Sequence, residues 1–374
     1  MDKIEIYIDE LLEKSTPDRP IWNIEKILQG LKSTWNYIDG CMIKAILEMY
    51  AITKDEKYFR FADNFIDCKV REDGSIEGYS VEELNIDNVN AGKTLFELYD
   101  LTGKEKYRKA IDLVYSQIEQ MPRTGEGNFW HKNIYPNQVW LDGLYMCQPF
   151  YMEYETRFHE KKNYDDIFRQ FFNVVEHMRD PKTGLYYHAY DSSREMFWCD
   201  KVTGLSQNFW LRALGWYSMA LLDTLDKADA SVGEPYERLK KVFVDLMDAM
   251  LKYQDASGMW YQVVNFGGME KNYLETSGSS IMAYALLKGV RLGYLPKRMA
   301  AWAEKAFYGT CDRYLSKNPD DSLQLDGICL VAGLGGKDHR DGSLAYYFSE
   351  PVVCNDAKGV GPLVLAYTEM IARK

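Results

Sequence analysis

The sequence predicts an all-α protein, an (α/α)6 toroid of six inner and six outer helices with short strand-like connections at one mouth. Three observations lead there. Runs that are apolar nearly all round alternate with runs that are apolar on one face only. The connector Thr53-Lys-Asp-Glu-Lys-Tyr58 returns as Thr102-Gly-Lys-Glu-Lys-Tyr107. Finally, a turn glycine followed by two aromatics and an imidazole or amide occurs as Gly127-Asn-Phe-Trp-His131, Gly184-Leu-Tyr-Tyr-His188 and Gly258-Met-Trp-Tyr-Gln262. Such self-similarity marks a chain assembled from equivalent units.

Taken in order, Tyr37 to Tyr50 is apolar almost all round, as a helix buried on both sides requires. Residues 55–69 place Tyr58, Ala62, Phe65 and Ile66 on one face and charges on the other. Further buried-type helices are expected over 86–100, 137–157, 207–226, 274–292 and 355–372, and amphipathic ones over 104–120, 163–179, 234–253 and 296–315. These pairs leave one outer helix to find. Residues 2–14, with Ile4, Ile8, Leu11 and Leu12 at helical spacing, supply it by packing beside the last inner helix. First and last helices that complete one pair argue for a closed ring over an open solenoid. No linker interrupts the pattern, so residues 1–374 read as one domain. The glycine turns lead into the N-terminal ends of the inner helices, which gathers them at one mouth beside the positive ends of the helix dipoles.

Composition narrows the function classes. A net charge of −11 without a basic tract makes nucleic acid and anionic membranes poor partners. No apolar stretch is long enough to span a bilayer, and the first fifteen residues are too acidic for a secretion signal. Seven scattered cysteines without a CxxC pair suit reduced thiols, so a cytoplasmic location is expected. Five histidines without metal-ligand spacing predict no metal, and no organic cofactor is expected either. The chain is expected to be a monomer or a weak homodimer. Its 28 Tyr and 9 Trp favour a sugar-stacking surface, although most must pack the core.

Asp39, Asp87 and Asp142 stand at the starts of the first three inner helices. An acid there is commonly a cap or a dipole partner. Three at one mouth, beside Trp140 and the histidine-bearing connections, point to chemistry for Asp87 and Asp142, while Asp39 reads as structural. His131 and His188 hold matched positions in two repeats, which suggests that both line the mouth. Arg212 interrupts an otherwise apolar helix and needs a partner. It either pairs with an inner aspartate or grips a substrate carboxylate. Trp216, one turn later, is placed for stacking or for the core, and Glu275 for capping or a rim contact.

The runs Gly127-Asn-Phe-Trp-His131-Lys132 and Tyr135-Pro-Asn-Gln-Val-Trp140-Leu-Asp142-Gly-Leu-Tyr-Met146 strongly resemble the unsaturated rhamnogalacturonyl hydrolases, glycoside hydrolase family 105. The similarity continues through Phe209-Trp-Leu-Arg212-Ala-Leu-Gly-Trp216 to the closing Thr368-Glu369 and is weakest over the first 35 residues. The resemblance implies an (α/α)6 barrel that removes a Δ4,5-unsaturated galacturonyl residue from lyase-cut rhamnogalacturonan. It makes Asp142 the general acid/base and Asp87 a supporting carboxylate. His131, Lys132, Trp140, His188, Arg212 and Trp216, with Tyr37 on a looser match, would hold the unsaturated oligosaccharide.

That likeness also implies hydration of an enol ether in place of the usual two-carboxylate displacement. Asp142 would then have to be protonated near neutral pH, through indole surface around it and like charge on Asp87. Lys132, His131, His188 and Arg212 would attract the uronate. Three alternatives stay open at this point: an unsaturated glucuronyl hydrolase acting on glycosaminoglycan fragments, a sugar epimerase using His131 and His188, and a silent oligosaccharide-binding toroid.

Overall fold

Among the described residues, twelve long helices alternate between two concentric layers, and their order follows the predicted one. The computed structural model describes residues 3–373. The outer helix α1 (Lys3–Glu13) and the short α2 (Ile24–Gln29) precede the first inner helix, α3 (Tyr37–Thr53). Then come α4 (Glu56–Asp67), α5 (Lys93–Thr102), α6 (Glu105–Gln120), α7 (Leu141–Phe158), α8 (Tyr164–Met178) and α9 (Leu211–Lys227). The chain continues through α10 (Glu234–Leu251), α11 (Thr276–Arg291), α12 (Ala300–Tyr314), the short α13 (Leu344–Ser349) and α14 (Ala357–Ala372). The helices α3, α5, α7, α9, α11 and α14 form the inner ring; α14 packs on both α11 and α3, which closes it.

The layers follow from burial. Of α9, nearly every residue from Leu211 to Leu222 is buried, whereas α4 buries only Tyr58, Ala62, Phe65 and Ile66. Each large apolar side chain so enclosed stabilises the fold by roughly 1.5–3 kcal/mol, so the stripe on α4 is ample to hold it against α3. Caps set where helices begin. Asn36 accepts from the Asp39 amide, Asp55 from Lys57, and Asp356 from Lys358, each cap contributing about 1 kcal/mol. Asp39 is structural, as expected. Its carboxylate sits buried among the Trp22 indole, Asn23, Ser33 and Asn36. Glu275 resolves the same way, accepting from the Ser277 and Gly278 amides at the head of α11.

Two departures from the predicted elements matter for the site. The inner helix expected over 86–100 is a tighter 3-10 coil over Ile86–Gly92 before α5 begins. Two asparagines, a β-branched pair and a glycine in that stretch disfavour the α-helix, and the tighter coil holds Asp87 at the mouth. The helix expected over 137–157 likewise starts with a strand, β1 (Gln138–Trp140), paired antiparallel with β2 (Ala189–Asp191). Isolated bridges Asn85–Lys132, Trp210–Val263 and Tyr261–Leu274 link further connections into a collar around the mouth. Gly258, at φ +94°, turns the chain so close to the Lys305 carbonyl that a side chain there would collide.

An insertion between α12 and α14 has no counterpart in the other repeats. It holds β3 (Leu315–Lys317) paired with β4 (Leu323–Leu325), β5 (Ile328–Cys329) paired with β6 (Val352–Val353), and α13. It closes one side of the mouth. No helix among the described residues is long and apolar enough to cross a membrane.

Candidate active site

A cavity of about 650 Å³, counting its open end, lies where the inner helices begin. Tyr37, Asp87, His131, Lys132, Trp140, Asp142, Arg212 and Trp216 all line it. His188 does not. It is fully buried behind Asp142, so the expectation that it touches sugar gives way to a supporting place in the wall.

The two acids differ in their partners. Burial pushes the Asp87 carboxyl upward, but the Lys132 ammonium at 2.7 Å and the nearby His131 outweigh it and hold the group below its ordinary value. Asp87 is therefore a carboxylate. Asp142, in the first turn of α7, has no lysine or arginine partner among the described residues, and its side chain keeps 14% of its surface exposed. Its Oδ2 is buried in the wall, 3.3 Å from His188 Nε2 but off the hydrogen-bond direction, so that contact counts as proximity only. The other oxygen, Oδ1, is the one left to face the cavity.

Behind Asp142, the Tyr347 hydroxyl lies 2.7 Å from His188 Nδ1. Burial pushes that hydroxyl well above its ordinary pKa, so it keeps its proton, and no other acceptor is within reach among the described residues. The proton must then point at Nδ1. With Nδ1 accepting, the ring hydrogen is on Nε2, the nitrogen near Asp142 though not aimed at it. Tyr347 comes from α13, and nothing in the local sequence marked it. Tyr347→Phe frees His188 to take the other tautomer; kcat should fall about tenfold, the scale of one hydrogen bond, with KM little changed. Steady-state kinetics beside unaltered circular dichroism would check this, and an unchanged kcat would remove Tyr347 from the account.

His131 stacks on Trp140 with centroids 4.5 Å apart, and Tyr135 stacks on the same indole at 5.3 Å, making a wall of near-parallel rings. Gly143 permits it, since a β-carbon there would come within 2.9 Å of His131 Nδ1. Burial pushes the His131 imidazole down to about 4, although Asp87 opposes the shift. His131 is thus neutral at physiological pH and Lys132 is neutralised by Asp87, so neither supplies the expected positive field. Because the native pKa is depressed from 6.5 to about 4, His131 contributes stability that is intact above pH 6.5 and is lost as pH falls towards 4. The loss amounts to about 3 kcal/mol at roughly 1.4 kcal/mol per unit. Urea unfolding at pH 7 and pH 4.5 should show a smaller acid loss in His131→Phe than in the wild type.

Arg212 carries the field instead. Only 2% exposed, it donates from Nη1 to the Ser277 hydroxyl and the Cys329 carbonyl, and from Nη2 to the Leu330 carbonyl at 3.3 Å. The guanidinium also lies 4.7 Å from the Trp210 ring. No carboxylate lies within ion-pair distance among the described residues, which removes the aspartate-pairing alternative. Trp216, one turn along α9, stacks on Tyr145 at 4.9 Å and forms part of the floor. Sequence reasoning missed Glu25, Tyr135, Trp210 and Arg340, which also line the cavity. Glu25 is ion-paired to the buried Lys358 at 2.7 Å.

A helical barrel whose cavity is lined by an acid without a lysine or arginine partner, a buried guanidinium and aromatic rings is suited to cutting an acidic sugar, and comparison with known proteins agrees on the class: this is a glycosidase. Residues 13–374 match the model of Glycosyl Hydrolase Family 88, and the chain belongs to the family 88 and 105 group of unsaturated glycoside hydrolases. A solved glycoside hydrolase of family 105 from C. acetobutylicum ATCC 824 is 46% identical and superposes with a TM-score of 0.89, covering 97% of this chain and 99% of that one. Protein Atu3128 of Agrobacterium fabrum is 38% identical over 60% of this chain and 98% of its own length. The unsaturated rhamnogalacturonyl hydrolase YesR of Bacillus subtilis is 28% identical over 79% of this chain and 82% of its own.

Proposed function

We propose that the protein releases a Δ4,5-unsaturated galacturonyl residue from the non-reducing end of lyase-cut rhamnogalacturonan fragments. The observation that carries this reading is the division between the two acids. Asp87 is paired with Lys132 and held as an anion, whereas Asp142 offers one oxygen to the cavity and has no lysine or arginine partner among the described residues. Asp142 is then the proton donor. The similarity to YesR, a rhamnogalacturonyl hydrolase by name, supports the choice of sugar.

In this reading the uronate carboxylate meets Arg212, which suits a planar, two-oxygen partner. Asp142 Oδ1 gives its proton to C4 of the sugar double bond, and the π pair forms the new C–H bond. Positive charge develops at C5 and on the ring oxygen. The Asp142 carboxylate next takes a proton from water as that water adds to C5, restoring the acid. The resulting hemiketal opens to a ketone by breaking the C5–ring oxygen bond. The hemiacetal left at C1 then expels the remaining sugar, with no further group required.

The test is decay of the enol-ether ultraviolet absorbance on unsaturated galacturonyl-rhamnose, run beside an unsaturated chondroitin disaccharide. Faster turnover of the first is expected. A clear preference for the chondroitin fragment would transfer the protein to the glucuronyl reading, and no decay on either would end the hydration mechanism.

A further inference from the structure

The cavity holds a second guanidinium that a single uronate leaves without work. Arg340 lies in the insertion between α12 and α14, half-buried at the cavity wall. Its Nε donates to the Gly335 carbonyl at 3.2 Å and its Nη2 to the Tyr135 hydroxyl at 3.4 Å. Nη1 has no protein acceptor among the described residues, and no carboxylate lies within ion-pair distance of the group. Glu350, whose carboxyl is pushed up by burial, feels the Arg340 charge but does not pair with it.

The loop is built around this side chain. A β-carbon on Gly333 would come within 2.6 Å of Nη1, and one on Gly336 within 3.2 Å of Nη2. Gly333 and Gly336 therefore clear room for a guanidinium, and Gly335 supplies a carbonyl to aim it. Tyr135 fixes the place. Its ring stacks on Trp140 and its hydroxyl contacts Arg340, so Arg340 stands at the Tyr135 end of the aromatic wall. Arg212 is enclosed in the barrel, while Arg340 sits on a mouth loop, which separates the two cations by depth. Two forked cations without protein anions suit a ligand carrying two anionic groups.

Resting on the uronide reading above, we infer that Arg340 receives an anionic group on the part of the substrate that leaves. The preferred substrates are then unsaturated uronides whose leaving oligosaccharide itself bears a carboxylate. That carboxylate can come from a uronic acid directly attached or from one a residue further along.

Three substrates separate these sources: unsaturated galacturonyl-rhamnose, unsaturated digalacturonate, and an unsaturated tetrasaccharide of alternating galacturonate and rhamnose. For the wild type, kcat/KM on at least one acidic substrate should exceed that on the neutral-leaving disaccharide by about 10-fold, on the scale of one charged hydrogen bond. In Arg340→Gln this ratio should fall at least about fivefold, chiefly through KM, and Arg340→Lys should restore part of it. Because the measure is a ratio, partial misfolding of a variant cancels. Equal kcat/KM on all three substrates in the wild type, or an unchanged ratio in Arg340→Gln, overturns the role of Arg340 and leaves the proposed reaction standing. Absorbance that persists on every unsaturated substrate overturns the reaction itself, and this inference with it.

Discussion

Asp142→Asn should lower kcat by about 10²–10⁴-fold, the range for a removed general acid, with KM changed little. The substitution keeps the shape of the side chain and its place 3.3 Å from His188, but removes the one carboxyl among the described residues that lines the cavity without a lysine or arginine partner. Asp87 cannot take over as the acid, because Lys132 at 2.7 Å holds it ionised. Following the loss of enol-ether absorbance under saturating substrate isolates kcat. Loss of less than tenfold would mean that another group delivers the proton. The epimerase alternative makes the opposite forecast, a severe loss in His188→Ala and a mild one in Asp142→Asn, so the pair of variants separates the two chemistries.

The second large effect is expected at Arg212. Arg212→Gln removes a buried charge from the cavity wall, and losing one side of such a pairing costs about 2–5 kcal/mol of substrate binding. That corresponds to roughly 30-fold to several thousandfold in kcat/KM, falling mainly on KM because the uronate carboxylate is held alike before and during the reaction. Arg212 also holds the backbone at Cys329 and Leu330, so the variant should unfold at a lower temperature. Arg212→Lys keeps the charge and loses the fork. If KM recovers in the lysine variant without the melting temperature, charge is what the substrate reads; if neither recovers, the loop placement is what matters.

Much of the barrel was legible because helix layering is written in local periodicity. The stripe Tyr58, Ala62, Phe65, Ile66 and the all-round apolar Tyr37–Tyr50 each predict their own environment without reference to the rest of the chain. The 3-10 coil at Ile86–Gly92 was read as helix because its apolar spacing resembles one, while its asparagines and glycine set the tighter geometry. The insertion after α12 carries no repeat, so its strands and Tyr347 left no signal. A stretch with three glycines around an arginine, Gly333 to Arg340, could have been read as a cradle for that side chain. Asp87, Trp140, Asp142 and Arg212 stood out because each breaks the pattern of a buried helix or begins one. His188 broke it too, and its sequence position could not distinguish the lining of a cavity from the layer behind it.

By itself, then, the chain's alternation of fully and half apolar helices determined a ring with its polar groups at one end. That follows from burial along each helix, a property of neighbours three and four residues apart. Only the tertiary structure decided which of two similar aspartates is paired with a lysine, which histidine lines the cavity and which stands behind the acid, and that Arg212 and Arg340 have no ion-pair partner among the described residues. Those properties depend on groups such as His188 and Tyr347, which lie 159 positions apart in the chain and 2.7 Å apart in space. Charge and protonation are set by what burial brings together, and folding alone supplies those distances.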